Sequence, residues 1–253
     1  MRLKLACLSS PSPAPSARGP APRWQPWLSS IKADLFIFPE CFLTGYDLAS
    51  IPNVPDFEIQ ARLKALEAIS RESGRSLLVG SPMRREGKLY NSLLLVQAGR
   101  SRVVYEKTHL IGLSDLNEQA VFSSGSRPAP LQLSGVPVGL AICYDLRFPE
   151  HFGPLAASGA PLFIVPAAWP RKRLAHWEAL LRARAIENQA FFVGVNHVSK
   201  AFGNKPLAFD PLGEPLKGAK SGPFTLFNFD LSQADAWRKT LPVMSERLAR
   251  YYK

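Results

Sequence analysis

The alternation of short apolar runs with helical patterns most constrains the fold of this chain. ADLFIFPE at 33–40 and PLFIVPAAWP at 161–170 are continuously apolar and end at proline. Runs of this kind are typical of strands that are buried on both faces of a sheet. Residues 57–73 and 174–189 carry apolar groups near helical spacing. Alternating strands and helices predict an α/β fold.

The two ends of the first 26 residues differ in pattern. Residues 2–9 predict a first strand, whereas six prolines within residues 10–26 predict an irregular surface segment. Too few apolar residues precede those prolines to form a signal peptide or a membrane-spanning helix. A chain of 253 residues that is 46% hydrophobic can bury a large core. We therefore expect a single domain over residues 1–253 and no membrane partner.

A short internal similarity favours a particular α/β arrangement. LLVG at 77–80 recurs as FFVG at 191–194, and the glycine of LLLVQAG at 93–99 recurs in LAFDPLG at 207–213 with the same spacing. One interpretation is chance similarity between apolar strands, which are common in buried sheets. The other is two similar strand-helix-strand-hairpin units that face each other. The second interpretation predicts two packed sheets with helices outside.

The formal charge of +11 at pH 7 would suit a protein that binds polyanions. However, the basic residues are scattered, and the densest groups, Arg171 to Arg173 and Arg84 with Arg85, are too short to follow a phosphate backbone. A positive pocket for a small carboxylate fits the charge equally well. We therefore predict a small-molecule partner and no nucleic-acid partner.

Cysteine usage indicates a reducing compartment. The chain has three cysteines, Cys7, Cys41 and Cys143, which cannot all pair, and none forms a C-x-x-C. Neither a disulfide framework nor a zinc knuckle is indicated. The simplest prediction is a cytoplasmic protein.

The stretch GLAICYDLRFPEHF at 139–152 leaves two interpretations of Cys143 open. A cysteine at the end of an apolar strand is commonly a small buried hydrophobic residue. Here, however, Tyr, Asp and Arg follow at once, and a helix is predicted to begin near Arg147 to His151. Ligands bind at the carboxyl ends of strands in α/β sheets, and a helix amino terminus there favours a thiolate. Cys143 thus has the setting of a nucleophile.

A nucleophilic thiol needs a base, and the sequence offers several. Histidine is the usual choice, but the chain's four histidines do not single out a partner for Cys143. Glu40 ends the buried run FIFPE, so its carboxylate would emerge where that strand meets solvent. Lys107 closes the alternating run VVYEK, although a solvated surface lysine is the ordinary interpretation of such a residue.

Taken together, three stretches resemble the nitrilase superfamily of carbon–nitrogen hydrolases. They are DLFIFPECFLTGY with Glu40, YEKTHL with Lys107 and GLAICYDLRFP with Cys143, and residues 166–198 are also similar to the segment that follows the cysteine in that superfamily. The resemblance implies a four-layer αββα sandwich and a catalytic Glu–Lys–Cys triad in this chain order. It also implies assembly into a homodimer or larger homo-oligomer, with no metal and no organic cofactor.

The resemblance also assigns roles to individual residues. Glu40 would act as the base, Cys143 would form a thioester, and Lys107 would stabilise the oxyanion with the backbone N–H of Tyr144. Further candidates around the substrate are Glu118, Arg147, Tyr46 and Trp169. Glu118 matches a second glutamate of the superfamily that orients the lysine or the substrate. Arg147 would either bind a substrate carboxylate or hold its own turn through Asp145 or Glu150.

Within the superfamily, ICYDLRFPE and HWEALLRARAIENQ look most like ω-amidases, which hydrolyse the terminal amide of 2-oxo dicarboxylic acid monoamides. Amidases of deaminated glutathione and hydrolases of N-carbamoyl amino acids or amines have similar motifs and remain alternatives. Nitrile hydrolysis is less favoured, because true nitrilases usually carry Trp-Glu after the cysteine. A catalytically inactive binding or scaffold protein is the alternative from a different class.

Overall fold

A computed structural model describes residues 1–11, 22–126, 128–203 and 205–246. Their strands, in chain order, are β1 (Arg2–Leu8), β2 (Leu35–Ile37), β3 (Leu77–Arg85), β4 (Lys88–Gln97), β5 (Arg100–Glu106), β6 (Gly112–Leu113), β7 (Leu116–Asn117), β8 (Leu131–Leu133), β9 (Val136–Leu140), β10 (Leu162–Ala167), β11 (Phe191–Asn196), β12 (Leu207–Phe209), β13 (Ala219–Ser221) and β14 (Phe224–Asp230). Their α-helices are α1 (Gln25–Ser30), α2 (Asp56–Ser73), α3 (Pro149–Ala157), α4 (Leu174–Asn188), α5 (Ser232–Thr240) and α6 (Val243–Glu246).

The strands form two large sheets and one small hairpin. The first sheet has seven strands in the order β13-β14-β1-β2-β3-β4-β5, and the second has five in the order β12-β11-β10-β9-β8. Strands β1, β2 and β3 are parallel, as are β9, β10 and β11, and β6 pairs with β7. The carboxyl ends of the parallel strands of each sheet therefore meet at one edge.

The internal similarity reflects a repeated topology. In the first sheet, β2 leads through α2 to parallel β3, which forms an antiparallel pair with β4. In the second sheet, β10 leads through α4 to parallel β11, which forms an antiparallel pair with β12. The order of strand, helix, strand and hairpin strand is thus the same in both units, and the repeat interpretation is confirmed.

Apolar packing joins the layers of the fold. One buried cluster contains Leu5 and Ile37 of the first sheet together with Leu140 and Val165 of the second. Residues on the opposite face of the first sheet, such as Phe36, pack instead with α1 and α2. Helices α3 and α4 contact the second sheet. The two sheets therefore pack face to face with helices outside, which confirms the four-layer αββα sandwich.

Local predictions agree with the structure except at the end of the proline-rich segment 10–26. The predicted first strand and the helices at 57–73 and 174–189 match β1, α2 and α4 within two residues. Residues 12–21 of the proline-rich segment lie outside the described residues, and α1 already begins at Gln25. The helix expected to begin near 147–151 begins at Pro149, within that range, and a separate 3₁₀ turn, Cys143–Arg147, precedes it. Among the described helices, none has the length and hydropathy needed to cross a membrane.

Candidate active site

The three predicted triad residues follow strands that end at the same edge of the two sheets. Glu40 follows β2, Lys107 follows β5 directly, and Cys143 follows β9. Strand β5 is antiparallel to β4, which is antiparallel to β3, so β5 ends on the same side as β2. Electrostatic interaction with both Glu40 and Lys107 affects the pKa of Cys143. The fold therefore brings the three side chains into one site, at its carboxyl edge.

Three hydrogen-bond donors hold the Glu40 carboxylate, which is completely buried. Its Oε1 atom accepts from Lys107 Nζ at 2.9 Å and from Asn91 Nδ2 at 2.8 Å. Its Oε2 atom accepts from the backbone N–H of Ala168 at 2.7 Å. One residue of β4 and the residues that directly follow β5 and β10 thus hold a carboxylate that follows β2.

Lys107 lies between two glutamates and is also completely buried. Its Nζ atom donates to Glu118 Oε1 at 2.7 Å in addition to Glu40. The hydroxyl of Tyr46 donates to the same Glu118 oxygen at 2.7 Å, and the backbone N–H of Ile111 donates to Oε2 at 2.9 Å. Glu118 therefore holds the ammonium group of Lys107 through a second ion pair, in addition to that with Glu40.

The neighbouring charges and the burial of Lys107 and Glu40 determine the direction in which the pKa of each side chain moves. Burial alone would lower the pKa of Lys107, but the nearby carboxylates of Glu40 and Glu118 raise it well above its usual range. Burial raises the pKa of Glu40, the charge of Lys107 opposes that shift, and Glu118 adds to it, with a net upward direction. Lys107 therefore stays an ammonium, while Glu40 becomes a better proton acceptor.

Cys143 begins the 3₁₀ turn with a positive φ of 47°, in the left-handed region that residues other than glycine rarely adopt. Burial raises the pKa of its thiol, the charge of Glu40 raises it further, and Lys107 lowers it, with a net shift well above the usual range. Only 4% of the residue is exposed. The resting site therefore holds a neutral thiol, which needs a neighbouring base to become a nucleophile.

A buried carboxylate fixes the turn that carries Cys143. Asp145 Oδ2 accepts from the backbone N–H of Ile142 at 2.8 Å and from the Tyr105 hydroxyl at 2.6 Å. Its Oδ1 atom accepts from the backbone N–H of His109 at 2.9 Å. Burial alone would raise the pKa of Asp145, but these donors and the neighbouring histidines lower it strongly. One ionised group thereby ties the cysteine turn to the segment after Lys107.

His109, Asp145 and His151 place three potential metal ligands within 4.8 Å of one another. However, their atoms are already used in hydrogen bonds. His109 Nδ1 lies 2.9 Å from Asp145 Oδ1, and His151 Nε2 lies 3.0 Å from the carbonyl oxygen of Leu140. Both Asp145 oxygens also accept from backbone N–H groups. The arrangement fits a hydrogen-bonded network that joins the cysteine turn to the segment after Lys107.

Arg147 packs against aromatic rings. Its guanidinium lies 4.7 Å from the ring centroid of Trp169 and 5.9 Å from that of Tyr144. In the part of the chain that the structure describes, no carboxylate lies within 4.0 Å of Arg147, so the alternative in which Asp145 or Glu150 holds it is not observed. Its side chain therefore keeps its hydrogen-bond donors available for a ligand.

A cavity of about 510 Å³ borders the residues that hold Glu40 and Glu118. Ala168 lies in its wall, and the N–H of Ala168 contacts Glu40. Tyr46 lines this cavity, whereas Trp169 is 2% exposed and is not part of its wall. The remaining wall includes polar residues of the β6–β7 hairpin and a nearby loop: Asp47, Ser114, Asp115 and Asn117.

Sequence reasoning missed three polar residues of the site. Asn91 contacts Glu40, and Asn196 bonds both the N–H and the carbonyl group of Trp169, at 2.7 and 3.0 Å. The ring Nε2 of His197 lies 2.6 Å from the carbonyl oxygen of Glu40, and burial lowers the pKa of this histidine. A signal was present for Asn196, which is the polar residue of the otherwise apolar strand FFVGVN, whereas Asn91 has the polar Ser92 beside it in β4.

The αββα fold and the buried site agree with comparison to known protein families. Residues 17–239 match the family of carbon–nitrogen hydrolases. The chain therefore belongs to this family, and the resemblance to the nitrilase superfamily is confirmed. It is an enzyme of the carbon–nitrogen hydrolase class.

Three relatives match this chain over most of its length. The chain is 33% identical over 221 residues to 2-oxoglutaramate amidase of Bacillus subtilis, covering 85% of each chain. It is 30% identical over 222 residues to deaminated glutathione amidase of Escherichia coli O157:H7, covering 84% of each. A variant of the amidase from Nesterenkonia sp. AN1 has a similar structure, with a TM-score of 0.79, 25% identity and coverage of 100% of this chain and 95% of that one. In that structure the acetamide moiety of fluoroacetamide is covalently attached at the active-site cysteine.

Proposed function

We propose that this protein is an ω-amidase-like enzyme, which hydrolyses the terminal amide of a 2-oxo dicarboxylic acid monoamide to the diacid and ammonia. The observation that carries the proposal is the buried Glu40–Lys107–Glu118 chain of hydrogen bonds beside Cys143. The name of the B. subtilis relative supports the substrate class. The covalent adduct on the cysteine of the Nesterenkonia amidase supports a cysteine nucleophile.

In the proposed acylation step, Glu40 accepts the proton of Cys143 as the sulfur bonds to the amide carbon. Because burial and the neighbouring Glu118 raise the pKa of Glu40, this carboxylate is a stronger base than an exposed glutamate. The carbonyl electrons move to oxygen and form a tetrahedral intermediate. Glu40 then gives the proton to nitrogen, the carbon–nitrogen bond breaks, and ammonia leaves a thioester on Cys143.

The same groups hydrolyse the thioester in the second step. Glu40 takes a proton from water, the oxygen attacks the thioester carbon, and the returning proton restores the Cys143 thiol as the diacid leaves. Lys107 stays protonated throughout and stabilises the oxyanion together with the backbone N–H of Tyr144. Glu118 keeps the ammonium in place without taking part in proton transfer.

The substrate would be oriented by its carboxylate. Arg147 is only partly buried, is stacked on Trp169 and has no ion-pair partner among the described residues, so its planar group suits a carboxylate. Tyr46 would form part of the wall around the amide end. The net charge of +11 favours an anionic substrate over a cationic one.

The cavity also supports a second candidate, hydrolysis of deaminated glutathione. A volume of about 510 Å³ accommodates a molecule larger than a five-carbon monoamide. The E. coli relative that is 30% identical carries that name. An N-carbamoyl amino acid would fit the same chemistry, because it presents an amide-like carbon–nitrogen bond and a carboxylate.

Assembly and compartment are part of the proposal. All three cysteines are free, which is the usual state in a reducing compartment such as the cytoplasm.

Exposed apolar residues on α4 and near the carboxyl-terminal helices would suit a contact between two copies of the chain: Ile186, Leu241 and Val243. Sedimentation of the purified protein would distinguish a homodimer from a monomer.

The decisive experiment measures ammonia release from 2-oxoglutaramate, deaminated glutathione, an N-carbamoyl amino acid and an aliphatic nitrile. The Cys143→Ala variant is assayed in parallel. We expect turnover of the first substrate that disappears in the variant. Equal release by both proteins would remove Cys143 from the mechanism, and no release from any substrate would favour an inactive binding protein.

A further inference from the structure

Asn91 of β4 touches two of the proposed catalytic residues. Its side-chain Nδ2 donates to Glu40 Oε1 at 2.8 Å, and its carbonyl oxygen accepts from the backbone N–H of Lys107 at 2.8 Å. We propose that Asn91 is a positioning residue for amide hydrolysis, which holds the base by its side chain and the lysine by its backbone. This inference rests on the proposed function, in which Glu40 is the base.

The strand register explains why Asn91 contacts both groups. Ser92 of β4 pairs with Glu106, the last residue of β5, so the next step of the antiparallel ladder places Asn91 opposite Lys107. Directly opposed residues direct their side chains to the same face of a sheet. The side chains of Asn91 and Lys107 therefore leave the sheet together, and both reach the same oxygen of Glu40.

Cys41 determines which end of the Asn91 amide faces Glu40. An amide side chain has a donor end and an acceptor end, and the acceptor end of Asn91 is occupied by the Cys41 thiol, with Sγ and Oδ1 3.6 Å apart. Burial and the charge of Glu40 raise the pKa of Cys41, so this thiol keeps its proton and acts as a donor. The NH₂ group of Asn91 is thus directed to the carboxylate.

These contacts have a consequence for proton transfer. The hydrogen bond from Asn91 stabilises the charged form of Glu40, and its loss would raise the pKa of that carboxyl group further. The general base must be deprotonated, so a higher pKa moves the acidic limb of kcat/KM to higher pH. The other titratable groups that act on Glu40 or contact its backbone stay the same in such a variant: Lys107, Glu118, Cys41, Cys143 and His197.

The first test replaces the amide by an apolar group of similar size, Asn91→Leu. We expect kcat to fall by about 10- to 100-fold with little change in KM, the size of effect expected when a hydrogen bond to a charged group is lost. The acidic limb of kcat/KM should move to higher pH. Asn188→Leu is the matched control, because Asn188 is an equally buried asparagine whose side chain bonds Arg184 and Glu187 of α4.

A milder pair of variants tests the orientation of the amide. Cys41→Ala removes the donor to Asn91 Oδ1, whereas Cys41→Ser keeps a hydroxyl donor there. We expect a drop in kcat for the alanine variant that the serine variant does not share. If Asn91→Leu does not fold, this pair decides the proposal, and equal kcat values for both variants and the wild type would overturn it.

Reaction of Cys143 with iodoacetamide separates this inference from the proposed function. Its rate depends on thiolate formation and needs no knowledge of the substrate. Glu40 must be deprotonated to accept the thiol proton, so in Asn91→Leu the acidic limb of the labelling rate should move to higher pH relative to the wild type and Asn188→Leu. If the wild type releases no ammonia from any amide, the proposed function fails, and this labelling comparison alone decides the role of Asn91. Identical labelling and kinetic profiles for the two leucine variants would refute it.

Discussion

At the scale of single residues, the ammonium of Lys107 is the positive charge between two buried glutamates. In Lys107→Met, which keeps a long side chain, Glu40 and Glu118 would face each other without a cation. We expect turnover to fall by at least about 100-fold from lost oxyanion stabilisation. Stability should fall by about 3–5 kcal/mol, since breaking a buried ion pair leaves an uncompensated charge.

Ammonia release and urea unfolding would measure these two effects of Lys107→Met. Lys88→Met is the control for a lysine that is exposed at the start of β4. Turnover within about threefold of the wild type would contradict the role of Lys107, since one lost charge-stabilising contact is expected to cost far more.

Arg147 allows a second prediction at this scale. Arg147→Met should raise KM for 2-oxoglutaramate by about tenfold or more, because a charge-assisted pair with the substrate carboxylate is lost. KM for a neutral amide such as propionamide should change little. Arg182→Met is a matched control, since Arg182 also stacks on an aromatic ring, that of Phe209, at 5.4 Å. An equal rise in KM for both substrates would argue against carboxylate recognition.

At the scale of secondary-structure elements, β3 passes unusually close to the loop that carries Glu40. A Cβ atom on Gly80 would lie 2.4 Å from the carbonyl oxygen of Pro39 and 2.7 Å from Cα of Glu40. These are backbone atoms, so they cannot move aside as a flexible side chain can. The glycine of LLVG therefore sets the distance between β3 and the proposed base.

Gly80 and Gly194 occupy corresponding positions in the two repeated units, LLVG and FFVG. Gly80→Ala should reduce kcat by about tenfold or more by displacing Glu40, because small misplacements of catalytic groups have large effects on rate. Gly194→Ala is the partner variant, since a Cβ there meets side chains of Trp177 and Leu181. It should lower the melting temperature while active-site titration shows near-normal turnover per folded molecule. Normal turnover in Gly80→Ala together with reduced turnover per folded molecule in Gly194→Ala would contradict this role of Gly80.

At the scale of the whole molecule, one apolar cluster extends across both sheets, from Leu5 and Ile37 to Val165 and Phe192. We therefore expect residues 1–253 to behave as a single folding unit. Heating should produce one cooperative transition, with coincident near-ultraviolet and far-ultraviolet circular dichroism curves. Two separated transitions would show instead that the sheets unfold independently.

Local and nonlocal features of this fold differed in how well the sequence predicted them. The apolar run at 33–40 and the helical spacing at 57–73 depend on neighbours along the chain, and both predictions agree with the structure. The start of α3 at Pro149 lies within the predicted range 147–151. The 3₁₀ turn before it was not predicted, since Asp145 holds that turn through contacts with residues about 40 positions away. Periodicity carries no information on such contacts.

The sequence by itself determined the α/β alternation, several of its strands and helices, and the presence of a glutamate, a lysine and a cysteine after three strands, while it left the repeat open. The tertiary structure decided which polar groups meet: Asn91 and Ala168 hold Glu40, and Arg147 lies on Trp169 instead of pairing with Asp145. The physical reason is that apolar periodicity selects elements locally, whereas hydrogen-bond partners depend on sheet register and packing between distant segments.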